Sequence, residues 1–443
     1  MTQARSDGIR FLLLGIAVFL LFGFAMSRGD TGNVEDFRGL YLGTRTLLAH
    51  HDPYNAEDVF RTFLADGGRI PEQMQDQSHL LTITRQQVYP PTLYLCITPM
   101  AMFGWTAAKA LWTALTALVL ILGAVLTSDL AAPYAPVMAG ILTGFLIANC
   151  EVLFAGGNPA GLVIGLCAIA VWCFHRQRFE AVGVFCLAIS LSIKPHDTGL
   201  VWLYLLLAGG SGRKRALQTL AVAVVLAIPA LLWVGTVSPH WLTGLRNNLA
   251  VLSADGGLNA PGPATPTGRS GAGVIDLQAV VATFDNHAAV YNAVSYAAFA
   301  GLFLLWLWKT LRLKASPQNH WLALAVVSSL TLLPIYHRPY DAKLLLLSVP
   351  ACAMLWAAGG RTKWFALSFT FAAFLFTADV PLVIFAALGQ RVHAGPGLAE
   401  KLLLLVTTQP APLSLFAMTV FYLWVYFRQK NPDVEPRETS FGA

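Results

Sequence analysis

Charged side chains are scarce in this chain of 443 residues: Asp, Glu, Lys and Arg together make up 12% of it, against about 25% in a soluble domain. A soluble protein of this length needs a charged surface that this composition does not supply. Hydrophobic residues make up 56%, and the mean hydropathy is +0.60. They stand in long continuous runs, whereas a membrane β-barrel shows short alternating segments. We therefore expect an all-α polytopic membrane protein.

Several motifs of soluble enzyme chemistry are also missing. Six cysteines are present, but none forms a CxxC pair, which argues against a disulfide framework and against a cysteine metal site. There is no Walker A loop for ATP-driven pumping and no GxGxxG segment of a nucleotide-sugar Rossmann domain. No clear DxD or HExxH occurs, so we assign no metal-ligating residue and expect no cofactor, and the need for a metal stays open. These gaps favour a chemistry that takes a lipid-linked substrate from within the membrane.

The net charge of +6 does not indicate nucleic-acid binding, because the basic residues lie in short clusters beside apolar runs, as the positive-inside rule expects. The N-terminus and clusters such as HRQRFE (175–180) and KTLRLK (309–314) are therefore assigned to the cytoplasm. This orientation puts residues 28–88, 194–197 and 336–341 outside. We expect an integral protein of a bacterial-type inner (plasma) membrane, in contact with membrane lipids and without a nucleic-acid partner.

The apolar runs predict roughly 11–13 transmembrane or partial helices, since a full span needs about 20 apolar residues. The first run, 11–27, is either a cleaved signal peptide or a retained span, and we favour the span because further membrane segments follow it. The runs 181–193 and 197–208 are each too short to cross alone, and the polar break Lys194-Pro195-His196-Asp197 separates them. Two half-length helices that meet at such a break indicate a site at membrane depth. Within 91–153, one run should be re-entrant or partial, because the basic clusters otherwise fall on opposite sides.

Two long polar segments interrupt the apolar runs. Residues 28–88 carry apolar side chains at helical spacing, which predicts a large extracytoplasmic loop with amphipathic helices on the outer leaflet. Residues 236–288 contain the Gly- and Pro-rich core GGLNAPGPATPTGRSGAG. This core should be flexible, and it is either a lid over the site or a plain connector. We divide the chain into a catalytic membrane module (1–210), a C-terminal membrane module (211–430) and a cytoplasmic tail (431–443).

Two polar groups stand where functional residues are expected. The acids Glu35 and Asp36 follow the first apolar run, where a carboxylate is either a general base toward a sugar hydroxyl or a solvated loop acid. Lys194 is a candidate for binding a lipid phosphate, because a charge at membrane depth costs about 2.5–3.5 kcal/mol and is rarely kept without a function. The alternatives are an ion pair with Asp197 and a side chain that reaches the interface.

The segment YHRPYDAK (336–343) ends one apolar run and begins the next. His337 and Arg338 offer positive charge, and Arg matches phosphate geometry through two parallel hydrogen bonds. The alternative is a polar loop with an internal pair between Arg338 and Asp341. Asn158, in AGGNPAG (155–161), can bind a sugar hydroxyl, although such a residue more often caps the helix that follows it.

Five segments stand in a characteristic order along the chain: DFRGLYLGTRTLLAHHDPY (36–54), VYPPTLYLCITPMAMF (88–103), GGNPAGLVIGL (156–166), SIKPHDTGL (192–200) and YHRPYDAKLLL (336–346). In this order they resemble glycosyltransferase family 87, polytopic enzymes of the GT-C type that include polyprenol-phosphate-mannose-dependent α-mannosyltransferases. One feature departs from the family: its members often carry Gln at Asn158, so the amide is kept here with a shorter reach.

The resemblance implies a GT-C-type fold, with Asp36 as catalytic base, His337 near the donor phosphate and Lys194 in the family's Lys-Pro pair. We expect Lys194, His337 and Arg338 at the donor phosphate, Arg338 because its guanidinium suits phosphate. The acceptor oxygen would attack the anomeric carbon opposite the phosphate, with inversion, and the cations would stabilise the leaving phosphate. We therefore expect a hexose to pass from a polyprenyl phosphate to an extracytoplasmic lipid or glycan acceptor, with mannose as the first candidate for the hexose. Substrate contacts are expected from Glu35, Tyr41, Tyr89, Asn158, His196 and Asp341.

Two other functions fit part of the pattern. A transporter or flippase for a lipid-linked glycan would also have broken helices and intramembrane charges, although no repeated halves are evident in the sequence. A non-catalytic protein of envelope assembly would tolerate changes at Lys194. The transferred sugar and the acceptor stay open, with arabinose, glucose and galactose as alternatives to mannose.

Overall fold

The structure is a computed structural model that describes residues 2–28, 35–69, 87–254, 256–262, 273–314, 316–389 and 397–429. The predicted tail (431–443), most of the Gly- and Pro-rich core (263–272) and parts of the first outer segment (29–34 and 70–86) lie outside the described residues.

The described residues form helices joined by short turns, and no β-strand occurs among them. In addition to the α-helices, a 3₁₀ helix covers Asp341–Ser348. The α-helices, numbered in chain order, are α1 (Gln3–Arg28), α2 (Glu35–Leu48), α3 (Ala56–Ala65), α4 (Pro91–Ala101), α5 (Trp105–Ala131), α6 (Pro136–Ile147), α7 (Glu151–Gly156), α8 (Ala160–Arg176), α9 (Glu180–Ile193), α10 (Pro195–Leu207), α11 (Gly210–Val237), α12 (Trp241–Ser253), α13 (Leu277–Phe284), α14 (Ala288–Arg312), α15 (Pro317–Leu330), α16 (Val349–Ala358), α17 (Thr362–Phe376), α18 (Asp379–Gly389), α19 (Leu398–Thr408) and α20 (Pro410–Arg428).

Six helical stretches among the described residues are long and apolar enough to cross a membrane: α1, α5, α11, α14, α20 and the 3₁₀ helix continued by α16. Many of their leucines, valines and phenylalanines are exposed, as in α11 and α14, which suits contact with lipid rather than water. The protein is therefore an all-α polytopic membrane protein, as its composition predicts. In 91–153 only α5 has the length of a span, so the region holds more than the one partial helix that was predicted.

One face of helix α1 packs closely against α6 at a seam of glycines. A Cβ atom on Gly15 would clash with the backbone of Gly144, and one on Gly140 would clash with the carbonyl of Gly8. A Cβ on Gly144 would stand 2.6 Å from the carbonyl oxygen of Phe11. Small residues let helix backbones approach closely in a membrane, where van der Waals packing holds helices together.

The pair α9–α10 is broken at one residue. Lys194 has φ −137° and ψ 80°, outside the helical region, because a residue before proline is pushed away from it. Pro195 then begins α10, where its missing N–H costs nothing. The predicted pair of half-length helices around Lys194 is thus confirmed.

The first outer segment differs from its predicted position. Helices α2 and α3 form as the spacing predicts, but α2 is buried, with Phe37, Leu40 and Leu47 fully covered, and it packs on α4 rather than lying on a lipid surface. Gly43 permits this approach, because a Cβ there would stand 2.7 Å from the Gln87 amide oxygen. The apolar stripe of α2 therefore faces protein.

The second outer segment, predicted as a flexible polar stretch, contains helices α12 and α13. Just before α13 it hydrogen-bonds to the chain that follows α15: the Ile275 N–H donates to the carbonyl of His337 at 2.9 Å, and the Leu277 N–H donates to that of Leu333 at 3.0 Å. The two segments thus lie side by side, and the hydrogen bond from Ile275 to His337 fixes the backbone at the start of 336–341.

We expect Gly144→Leu to destabilise the protein by about 1–3 kcal/mol, the usual cost of overpacking, because its side chain must part α1 from α6. Thermal unfolding of the purified protein in detergent measures this. Gly301→Leu is the matched control, since Gly301 lies on the spanning helix α14 with open space around it. Equal melting temperatures for the two variants would contradict the close crossing.

Candidate active site

Two interruptions of the helical framework meet at Lys194. Its Nζ pairs with Asp341, at the start of the 3₁₀ helix, and lies 3.3 Å from Oδ2 of Asp197 in the first turn of α10. All three side chains are buried. Because a buried charge is stable only when it is paired, each residue depends on the others.

Two histidines flank Asp197. The Nε2 atoms of His196 and His337 each lie 3.4 Å from Oδ1 of Asp197. His337 is fully buried, and its Nδ1 lies 2.8 Å from the carbonyl oxygen of Ile335. The His196 side chain is 34% exposed, so this side of the cluster opens outward.

Asp341 also orients the residues that precede it. Its Oδ2 accepts the backbone N–H of Arg338 at 2.9 Å. The Arg338 guanidinium turns away and donates to the Tyr336 hydroxyl at 2.5 Å and to the carbonyl of Leu258 at 3.2 Å. The contact between Arg338 and Asp341 therefore uses the backbone, and the half-buried guanidinium keeps donors for a ligand.

Asp36 enters the same site from the first turn of α2. Its Oδ2 accepts a hydrogen bond from Nδ2 of Asn158 at 2.9 Å. The other end of that amide accepts the Ala160 N–H at 2.9 Å, so Asn158 caps the start of α8 and also contacts Asp36. Burial raises the pKa of the Asp36 carboxyl, while Asn158, Arg338 and Lys194 lower it in part. Asp36 is thus close enough to Arg338 and Lys194 for both of their charges to act on it.

Tyr89 stands beside this cluster, because the charges of Lys194 and Asp36 both act on its hydroxyl. Glu35 is half-buried one residue before Asp36. Tyr41 is not brought to the cluster: it packs on Trp105, and its hydroxyl donates to the carbonyl of Phe103 at 3.0 Å.

Lys343, in the same YHRPYDAK segment, also lies apart. Its Nζ donates to the carbonyls of Asn149 at 2.6 Å and Thr377 at 3.1 Å, and it pairs with Asp379 at 3.5 Å. These contacts give Lys343 a structural role, between α6 and the start of α18.

Sequence reasoning missed Asp276. This residue is fully buried, and its Oδ1 accepts the Ala279 N–H at 3.2 Å as the cap of α13. Burial raises its pKa to about 7, with His337 lowering it in part, so Asp276 lies within electrostatic reach of His337. An Asp directly before an apolar helical run is a cap signal that could have been read from the sequence. Its proximity to His337 could not, because 60 residues separate the two.

The fold and the site define a class: a polytopic membrane protein with carboxylates and cations gathered at the broken ends of its helices. The family model for glycosyltransferase family 87 matches residues 88–335, more than half of the chain, and the protein belongs to that family. It is therefore a membrane glycosyltransferase. The matched stretch includes Tyr89, Asn158 and Lys194 but not Asp36. No curated protein and no solved structure matches the chain.

We expect Lys194→Met to destabilise the protein by about 3–5 kcal/mol, the usual cost of removing one partner of a buried ion pair, because Asp197 and Asp341 lose their shared cation. Thermal unfolding in nanodiscs is the measurement. Lys214→Met, at an exposed lysine of α11, is the control for charge loss. A Lys194→Met protein as stable as the control would show that this pairing does not hold the two breaks together.

Proposed function

We propose that the protein transfers a hexose from a polyprenyl phosphate to a hydroxyl group of an extracytoplasmic lipid or glycan, with inversion. Mannose is the first candidate for the hexose. The observation that carries this proposal is the position of Asp36, a single half-buried carboxylate within electrostatic reach of Arg338 and Lys194. A transfer from a sugar phosphate needs one base at the acceptor and positive charge at the leaving group. Membership of family 87 supports the same reaction type.

Asp36 acts on the acceptor. Its carboxylate takes the proton of the acceptor hydroxyl as that oxygen bonds to the anomeric carbon, and the bond from this carbon to the phosphate oxygen breaks on the opposite face. Burial raises the pKa of Asp36, which makes its carboxylate a stronger base, and the hydrogen bond from Asn158 fixes one of its oxygens. The other oxygen is then directed to the acceptor.

The donor phosphate is placed at Arg338. Its guanidinium is half-buried, and the Tyr336 hydroxyl and Leu258 carbonyl hold one side of it. Three further N–H groups remain, and two of them can bind phosphate oxygens in the bidentate geometry that arginine favours. Lys194 adds positive charge behind Arg338 and is held by Asp341, and His337, held by Asp197, adds positive charge when its ring is protonated. No acid is needed at the leaving group, because a phosphate is stable as an anion.

Substrate contacts are assigned to groups at the edge of the cluster. Tyr89, Glu35 and His196 are exposed or half-buried and can donate or accept hydrogen bonds to sugar hydroxyls. Asp341 acts indirectly, since both of its oxygens are engaged by Lys194 and Arg338. Tyr41, which contacts Phe103, is not included.

The reaction is assigned to the extracytoplasmic side. The basic clusters at 175–180 and 309–314 favour the cytoplasm under the positive-inside rule. The break at Lys194 lies between the basic clusters 175–180 and 210–215, and residues 336–341 lie between 309–314 and 360–363. Both therefore fall on the opposite face of the membrane. A lipid-linked donor whose sugar faces outward would then reach Asp36, and no soluble nucleotide sugar would be needed. The membrane would be a bacterial-type inner membrane.

We expect Asp36→Asn to lower turnover by about 10²–10⁴-fold, the usual contribution of a general base, and to leave donor binding intact. The purified protein in nanodiscs is incubated with polyprenyl-phosphate-mannose and a membrane-lipid extract, and mass spectrometry follows the loss of donor and the gain of a hexose. Glu57→Gln, an exposed acid of α3, is the matched control. Full turnover by Asp36→Asn would refute the assigned base. The same protein in sealed vesicles, if it moved intact donor between leaflets without hexose transfer, would indicate a flippase.

The pH profile offers a second test of Asp36. Asn158→Asp keeps an acceptor for the Ala160 N–H but replaces the amide donor with a second carboxylate, which raises the pKa of Asp36 because like charges oppose ionisation. Since the base must be deprotonated, the acid limb of kcat/KM should move to higher pH. Asn55→Asp is the control, because Asn55 caps α3 through the same bond, to the Glu57 N–H at 2.9 Å. An unshifted acid limb would mean that another group sets it.

A further inference from the structure

We propose that His196, Asp197 and His337 bind one divalent transition-metal ion of the zinc type, with His196 Nε2, Asp197 Oδ1 and His337 Nε2 as ligands. The binding site is argued from geometry alone. Its role at the donor phosphate, given below, rests on the proposed function.

Two of the three distances between the ligand atoms already match a metal site. Oδ1 of Asp197 lies 3.4 Å from Nε2 of each histidine, and all three atoms lie within 4.8 Å of one another. In a tetrahedral site with bonds of about 2.0–2.1 Å, neighbouring ligand atoms are ~3.4 Å apart. Two imidazoles and one carboxylate, with a further position open, form a ligand set that zinc enzymes use.

The orientation of the His337 ring points the same way. Its Nδ1 lies 2.8 Å from the Ile335 carbonyl oxygen, a contact that requires a proton on Nδ1 and leaves the Nε2 lone pair free in the neutral ring. Metal-ligating histidines are fixed in this manner, with the second ring nitrogen donating to a carbonyl or carboxylate. His337 Nε2 and Asp197 Oδ1 are buried, face each other at 3.4 Å, and have no other hydrogen-bond partner among the described residues. When the His337 ring is neutral, a cation between these two electron-rich atoms stabilises both of them.

The surrounding charges leave room for a cation. Lys194 approaches Asp197 from its Oδ2 side, at 3.3 Å, and Oδ1 faces the histidines. Lys194 also pairs with Asp341, so two carboxylates share one ammonium and the group keeps a negative charge when the histidines are neutral. Asp276, within electrostatic reach of His337, adds to the negative field. The partly exposed His196 side chain gives the ion a way in.

This site changes how His337 contributes to the reaction. An ion held by His196, Asp197 and His337 would supply Lewis-acid stabilisation of the donor's leaving phosphate. His337 and His196 then act on the donor through the metal, and Arg338 binds it directly.

The test measures metal binding without reference to activity. Full-length protein that carries no polyhistidine tag is stripped with a chelator in nanodiscs and titrated with Co²⁺, whose visible absorption reports nitrogen and oxygen ligation; Zn²⁺ is then added as competitor. We expect one Co²⁺ per chain, displaced by Zn²⁺. His196→Gln and His337→Gln should each weaken binding about tenfold or more, since even outer-shell partners contribute 10–100-fold.

The matched control is His287→Gln. His287 also stands beside a carboxylate, with Nδ1 2.5 Å from Asp285, but its side chain is 87% exposed and outside the cluster. Thermal unfolding verifies that the variants are folded. If His337→Gln is unfolded, metal binding by His196→Gln, at the more exposed position, is the decisive measurement.

Binding that is lost in the cluster variants and kept in His287→Gln supports the site, even where no sugar is transferred. Absence of binding by the wild-type chain, or binding that the cluster variants leave unchanged, overturns it, even where transfer proceeds. The proposed function and the metal site therefore fail by different observations.

Discussion

The ion pair between Lys194 and Asp341 is the interaction on which the site depends. These residues come from two separate breaks in the helical framework, and a buried lysine can be kept only if carboxylates compensate for the water it has lost. The same Asp341 carboxylate receives the Arg338 backbone N–H. Pairing Lys194 therefore also sets the direction of the segment that carries His337 and Arg338, so one contact aligns distant parts of the chain.

The acids of the site share a structural position. Asp36 lies in the first turn of α2, Asp197 in that of α10 and Asp341 in that of the 3₁₀ helix, and Asp276 caps α13. Helix N-termini carry partial positive charge and unpaired N–H groups, which stabilise anions. Several helix starts pointing to one region thus form a setting in which carboxylates, and the phosphate of a donor, lose less on leaving water.

Much of the framework could be predicted from the sequence, because apolar length and the Lys194-Pro195 break are local signals. The burial of α2 could not be predicted: its spacing of Phe37, Leu40 and Leu47 fits a lipid surface and a protein surface equally well. The roles of Asp276 and of the His196–Asp197–His337 cluster also escaped, since a metal motif is recognised in a sequence only when its ligands are close together. Asn158 shows the intermediate case, where the predicted cap is present and the contact with Asp36 depends on tertiary packing.

The site is graded from a fixed interior to a reactive edge. Lys194, Asp197 and Asp341 are buried and engage one another, whereas Asp36 and Arg338 are half-buried and His196 is partly exposed. A base and a phosphate ligand must meet substrate, so they cannot be fully covered; a charge network that positions them must be dry, because water would weaken each of its contacts. The buried charges therefore act by holding the exposed ones at a set distance, and this division explains why so hydrophobic a chain retains charged residues at its helix breaks.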